Sequence, residues 1–117
     1  MSFISTLEIT VDPAAANLDA IFDLDLPNTA AFPGNQSTEV LQDTHNPGRL
    51  IVVSRWATQA DLDAYTAWRQ SPEGKTRVAE IITGPPSSRH FSVRNTYQGA
   101  VAEHIRIGPQ RHQDEYL

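Results

Sequence analysis

The sequence predicts an α+β fold of the ferredoxin-like type, in the order β-α-β-β-α-β with an antiparallel sheet. Three observations carry that expectation. Four short segments alternate between apolar and polar residues with a period of two. Two longer segments place apolar residues three and four positions apart. Proline, glycine and helix-capping residues punctuate the chain between them. The length of 117 residues is that of one domain with a core of its own.

The first strand is read over 2–11, with Phe3, Leu7, Ile9 and Val11 on one face and Ile4, Thr6, Glu8 and Thr10 on the other. Asp12-Pro13 then opens a helix, because Asp caps free N–H groups and Pro has none to leave unpaired in a first turn. Leu18, Ile21 and Phe22 form its buried stripe; Asp19, Asp23 and Asp25 are assigned to its wet face. Pro27 ends or kinks this helix. The second strand runs over Asn35–Gln42 and the third, the most apolar segment, over Arg49–Trp56, joined by the turn residues His45-Asn46-Pro47-Gly48 as an antiparallel hairpin. Thr58-Gln59-Ala60-Asp61 resembles a capping box at the start of a second helix. Ser71-Pro72-Glu73 reads as a second cap, so this helix bends and restarts with Val78, Ile81 and Ile82 as its stripe, until Gly84-Pro85-Pro86 stops it. The fourth strand is read over 88–97, with Phe91, Val93 and Tyr97 on one face and His90, Ser92 and Arg94 on the other.

Residues 1–97 thus make the domain, and 98–117 a C-terminal extension. Val101, Glu103, Ile105 and Ile107 alternate with Ala102, His104 and Arg106, which suggests an extra strand laid along a partner subunit. Strands 1 and 3 carry apolar residues on both faces, so the sheet face away from the helices needs cover. This predicts a homodimer joined through its sheets.

Charge and composition exclude several classes. Cysteine is absent, which removes disulfides, iron–sulfur clusters, thiolate zinc sites and Cys nucleophiles. Residues 1–48 hold seven acids and no Lys or Arg, while 49–117 hold nine bases and seven acids. No dense basic cluster exists for nucleic acid, and the halves carry −7 and +2. No apolar run is long enough to span a membrane and no signal peptide is visible, so a soluble, cytoplasmic protein is expected. HExxH, an EF-hand loop, G-x-S-x-G and a glycine-rich nucleotide loop are all missing, so no metal site is expected.

Pro33-Gly34 before strand 2, Asn46-Pro47-Gly48-Arg49 in the turn, Ile51-Val52-Val53-Ser54-Arg55-Trp56 in strand 3 and a capped helix directly after it form a further pattern. It resembles the antibiotic biosynthesis monooxygenase (ABM) superfamily of dimeric α+β barrels, over roughly residues 3–97. That resemblance implies an oxidoreductase: a cofactor-free monooxygenase acting on an aromatic polyketide or quinol, with molecular oxygen as co-substrate. Two departures narrow it. The Asn that stands four residues before the strand-3 Trp in one group of anthrone monooxygenases is Val52 here. The helix-2 His of the haem-degrading branch is also missing, since 58–83 contain no His, and strand 1 offers Thr6 or Leu7 where that branch has Asn.

The candidate site residues follow from both readings. Trp56, at the end of strand 3, either stacks on a planar substrate or plugs the core. Tyr65 and Trp68 face the same region from helix 2, as substrate-binding or as packing residues. His90, on strand 4, is the candidate general base, because an unperturbed imidazole titrates near neutrality. The resemblance places a charge-stabilising Arg near Arg77, and Arg94 is a second candidate for that role. The expected function is cofactor-independent oxidation of an electron-rich aromatic, an anthrone or quinol. The alternatives are a non-catalytic module that binds a small ligand or acts through association, and a polyketide cyclase-like enzyme.

Overall fold

The computed structural model of the protein describes residues 1–100. The four alternating segments form one antiparallel sheet. Its central strands are β1 (Phe3–Thr10) and β3 (Arg49–Trp56), its edges β2 (Asn35–Gln42) and β4 (Ser87–Ser92), and its order is β2-β3-β1-β4. The helices α1 (Leu18–Ala31) and α2 (Gln59–Arg69) cover one face of it. This is the ferredoxin-like α+β arrangement that the sequence predicts.

The core lies between that face and the helices. Ile9, Val11 and Leu50 from the sheet side pack with Ile21 and Phe22 of α1 and with Ile81. Each such side chain contributes roughly 1.5–3 kcal/mol through removal from water. The β2–β3 hairpin is held by side chains that replace missing backbone partners. The Asp43 carboxylate accepts the N–H groups of His45 and Asn46 at 2.7 and 3.1 Å, and the Asn46 side chain accepts that of Gly48 at 3.2 Å. At the other end of β2, Gly34 sits at φ 90°, where L side chains are disfavoured, and a Cβ there would run into the Asp61 side chain.

Four local expectations are corrected. Asp12-Pro13 opens a turn and not the helix: Asp12 Oδ1 accepts from Ala14 N–H and its carbonyl from Ala15 N–H, so α1 starts only at Leu18. Of the two outcomes expected at Pro27, the end does not occur: Pro27 lies inside α1, which continues to Ala31. The carbonyl that loses its partner is that of Asp23, an exposed residue. Asp25 belongs not to the wet face but to the buried one, four residues after Ile21 and four before Thr29.

The fourth correction concerns the segment after α2, where no second helical stretch forms. Pro72 holds Ser71 extended, and Ser71 Oγ donates to the Trp68 carbonyl at 2.6 Å. Two 3₁₀ turns follow, Pro72–Gly74 and Val78–Glu80. The apolar residues keep their role without the helix, since Ile81 is in the core and Val78 and Ile82 pack against it.

β4 is shorter than the sequence suggests. Ser92 pairs with Phe3, the first residue of β1, and after Val93 N–H reaches Ser2 the partner strand has run out. The strand expected over 101–107 lies outside the described residues. Among the described residues, no helix is long and apolar enough to cross a membrane.

Candidate functional site

The sheet supplies one wall of the site. Register sets Ser54 of β3 opposite Ser5 of β1, and Ser5 opposite His90 of β4. These three therefore form a polar row across three strands, on the side of the helices. The neighbouring row, Val52, Leu7 and Ser88, is more apolar. Directly opposed side chains in such rows are about 5 Å apart at Cβ.

The helices and the segment after α2 supply the other wall. Leu26 and Thr29 of α1, Tyr65 and Arg69 of α2, and Val78 and Ile82 close a cavity of about 390 Å³ over both rows. Its lining is mainly apolar, with polar groups grouped at a few points, which is the make-up of a small-molecule site.

Arg69 organises the helix-side polar group. Its Nε donates to the Tyr65 hydroxyl at 2.8 Å. One terminal nitrogen donates to the Gly74 carbonyl at 3.1 Å, the other to the Asp25 carbonyl at 2.8 Å and Thr29 Oγ1 at 2.7 Å. Four of its five N–H groups are thus fixed. Thr29, 1% exposed, also shares a 2.7 Å hydrogen bond with the Tyr65 hydroxyl. The guanidinium lies against the Trp68 ring, 4.7 Å from its centroid. Among the described residues, none of the groups bonded to this guanidinium is a carboxylate. It is a rigid cation held by neutral acceptors, so its charge remains available to an anion in the cavity. A Cβ at Gly74 would strike the Trp68 carbonyl, so the close approach that brings the Gly74 carbonyl to Arg69 needs glycine.

The aromatic residues form a support behind the cavity. Trp56 is fully buried and stacks on Tyr65 with centroids 4.7 Å apart, while Phe32 meets both edge-on. The Trp56 indole Nε1 donates to Ser54 Oγ at 2.9 Å.

Of the residues expected at the site, His90 and Tyr65 line the cavity. Trp56 does not: it backs the wall and takes the core-plug role. Trp68 packs on Arg69 and Phe32 and also lies behind the lining. Arg77 is turned to Glu80, which it pairs through two hydrogen bonds of 2.7 and 2.9 Å. That bond holds the Glu80 carboxyl below its ordinary range and the guanidinium above its own. Only the backbone N–H of Arg77 turns inward, donating to the buried Asp25 carboxylate at 2.9 Å. Arg94 follows the end of β4 and is exposed, away from the lining. The arginine at the cavity is Arg69 instead.

Arg69, Thr29, Ser54 and Asp25 are the candidate-site residues that sequence reasoning missed. Two of them carried a usable signal. Arg69 lies four residues after Tyr65, on the same helix face. Ser54 lies two before Trp56, on the same strand face. No sequence signal joins Thr29 to Tyr65, which are 36 residues apart.

The arrangement can bind a flat apolar molecule, present it to an imidazole on the sheet and place a fixed cation on the helix side. Among the described residues no three His, Asp or Glu side chains gather as metal ligands.

Comparison with solved structures places the fold among known proteins. Rv0793 from Mycobacterium tuberculosis is 20% identical, with a TM-score of 0.66 over 84% of this chain and 100% of its own. A variant of SnoaB from Streptomyces nogalater, a cofactor-independent oxygenase, is 17% identical, with a TM-score of 0.68 over 81% of this chain and 95% of its own. A conserved protein from Methanosarcina mazei is 16% identical, with a TM-score of 0.62 over 78% and 91%. No functionally curated protein matches the chain in sequence. The sequence pattern of the antibiotic biosynthesis monooxygenase family matches residues 3–79, and with that match over β1, β2, β3, both helices and most of the cavity wall, the chain belongs to this family.

Proposed function

We propose that the protein is a cofactor-independent monooxygenase that oxidises an electron-rich aromatic of the anthrone or quinol type with O₂. One observation carries this reading: a mainly apolar cavity of about 390 Å³ is lined by an imidazole from the sheet and a guanidinium from α2. Membership of the family and the fold shared with a cofactor-independent oxygenase support it.

The ring lies between Leu7 and Val52 on one side and Leu26, Val78 and Ile82 on the other. His90 takes a proton from the reacting carbon as general base. The negative charge that develops on the ring oxygen is stabilised by Arg69, which is already oriented and needs no reorganisation. The deprotonated ring is electron-rich enough to reduce O₂ itself. For an anthrone CH₂, one oxygen atom becomes the new carbonyl, and the other leaves as water with the two hydrogens. Trp56 acts indirectly by fixing Tyr65 and Ser54.

The working form is proposed to be a homodimer joined through the uncovered sheet face. That face carries Ile4, Ile51, Val53, Leu41 and Phe91; Leu41 is 47% and Phe91 48% exposed. Large apolar side chains held open on a sheet favour a second apolar surface.

Anthrone oxidation in air, without added metal or flavin, tests the activity. Acceleration over autoxidation that His90→Ala loses is the expected result. Tight binding without any acceleration favours the ligand-binding module instead.

A further inference from the structure

Ser54 is a buried hydroxyl, 5% exposed, that interrupts the apolar face of β3 and lines the cavity. The Trp56 indole N–H has donor capacity only, so at the 2.9 Å contact Ser54 Oγ is the acceptor. Its own proton must point elsewhere. Among the described residues no other hydrogen-bond partner is within reach of this hydroxyl. Trp56 cannot turn away to relax the arrangement, because it is fully buried between Tyr65 and Phe32. The indole therefore aims the hydroxyl proton at the cavity and, by hydrogen bonding to its oxygen, strengthens it as a donor.

We propose that Ser54 is a specificity-determining residue: its hydroxyl donates a hydrogen bond to a carbonyl or phenolate oxygen of the bound aromatic. This rests on the reading that the cavity takes a planar aromatic, and deepens it by naming the side chain that selects among such ligands. Val52, the other inward residue near this end of β3, has no donor to offer. The row Ser54–Ser5–His90 crosses from β3 to β4, two strand spacings or roughly 10 Å. Ser5 in the middle is small. A flat ligand lying along this row can place an oxygen at Ser54 with its reacting carbon towards His90.

The test is a binding cycle with 9-fluorenone and fluorene, flat three-ring ligands that differ by one carbonyl oxygen. Affinities are measured by calorimetry for the wild type, Ser54→Ala, Ser54→Cys and Ser54→Thr. The wild type is expected to prefer fluorenone. That preference falls roughly fivefold to tenfold in Ser54→Ala and Ser54→Cys and is kept in Ser54→Thr, which retains the hydroxyl. The carbonyl stretch of bound fluorenone moves to higher frequency in the first two variants. Ser54→Ala leaves the buried indole without an acceptor; if it does not fold, Ser54→Cys carries the comparison, since sulfur keeps a weak acceptor there. Equal losses for both ligands, with the preference unchanged, overturn the donor role and leave Ser54 as a support for Trp56. A wild type that binds neither ligand overturns the aromatic reading, and this proposal with it, before any variant is compared.

Discussion

Arg69 Nε donates to the Tyr65 hydroxyl at 2.8 Å across one turn of α2, and the same guanidinium reaches back to α1 at Thr29 and Asp25. One side chain thereby joins the two helices at the mouth of the cavity and leaves a cation there whose bonded partners are all neutral. The structural clamp and the proposed anion-stabilising group are the same atoms.

Arg69→Gln tests the anion-stabilising role, because it removes the charge and keeps only part of the hydrogen-bond donor set. The turnover number for anthrone oxidation is expected to fall by about 10²–10³. The melting temperature also falls, since hydrogen bonds to a charged group contribute about 1.5–3 kcal/mol each. Initial rates and a thermal melt read both. A lowered melting temperature with unchanged turnover would falsify the catalytic part and leave the clamp.

His90 lies on an edge strand and is exposed, with little packing to lose. His90→Ala is expected to slow proton abstraction by about 10²–10⁴, while stability changes by no more than about 0.5 kcal/mol. Rates at saturating substrate, beside a denaturant melt, check this; full turnover in the variant removes His90 from the mechanism.

Glu8 gives the sign of an acid dependence. Its carboxyl is held below the ordinary range by hydrogen bonds from Arg49 at 2.7 and 3.0 Å. Asp43 is lowered first by the His45 N–H and then by the same Arg49. A carboxyl with a lowered folded-state pKa adds stability that is present above its unfolded pKa and lost as pH falls through the folded one. Glu8→Gln is therefore less stable than the wild type at neutral pH, and the gap closes in the acid range below the ordinary carboxylate pKa. Melting temperatures across that range show the convergence; a gap that widens with acid contradicts it. The residues are solvent-exposed, so added salt narrows the gap at neutral pH.

Gly34→Ala forces a side chain into φ 90° and into Asp61, which helps cap α2. The backbone term alone is about 1–2 kcal/mol, and the contact adds to it. Gly84→Ala, whose Cβ meets only Thr10 Oγ1 at 3.3 Å and whose φ is not positive, is the milder reference. Chemical denaturation ranks the two, and a Gly34→Ala variant as stable as Gly84→Ala refutes the argument.

Phe91→Lys places a charge on the uncovered sheet face, far from the cavity side. A dimer joined there is expected to dissociate to monomers in light-scattering measurements, with the fold retained. A dimer that survives the change uses another surface.

Much of the architecture was legible in the residues themselves. Period-two alternation placed β1 and β3 and set His90 opposite Phe91 on β4, because side-chain parity along a strand is a local property; the pairing of His90 with Ser5 decided that its face is the helix side. The Asn46-Pro47-Gly48 turn and the Thr58 cap are equally local, and both stand where the sequence put them. The tertiary structure alone decided which polar residues meet. Asp25 looked like one more acid on a wet helix face until the segment after α2 folded over it and offered the Arg77 N–H. Ser71-Pro72 carries a cap signal, but whether a helix or two 3₁₀ turns follow depends on packing against the sheet, and that choice turned Arg77 outward and left Arg69 at the cavity. Trp56 announced itself as a large aromatic at a strand end, yet only the packing shows that it is buried, stacked on Tyr65 and hydrogen-bonded to Ser54. Local periodicity fixes which side chains share a face; the contacts that join α1 to α2 across 36 residues or more, Thr29 to Tyr65 and Arg69 to Asp25 and Thr29, depend on how the elements pack, and they close the candidate site.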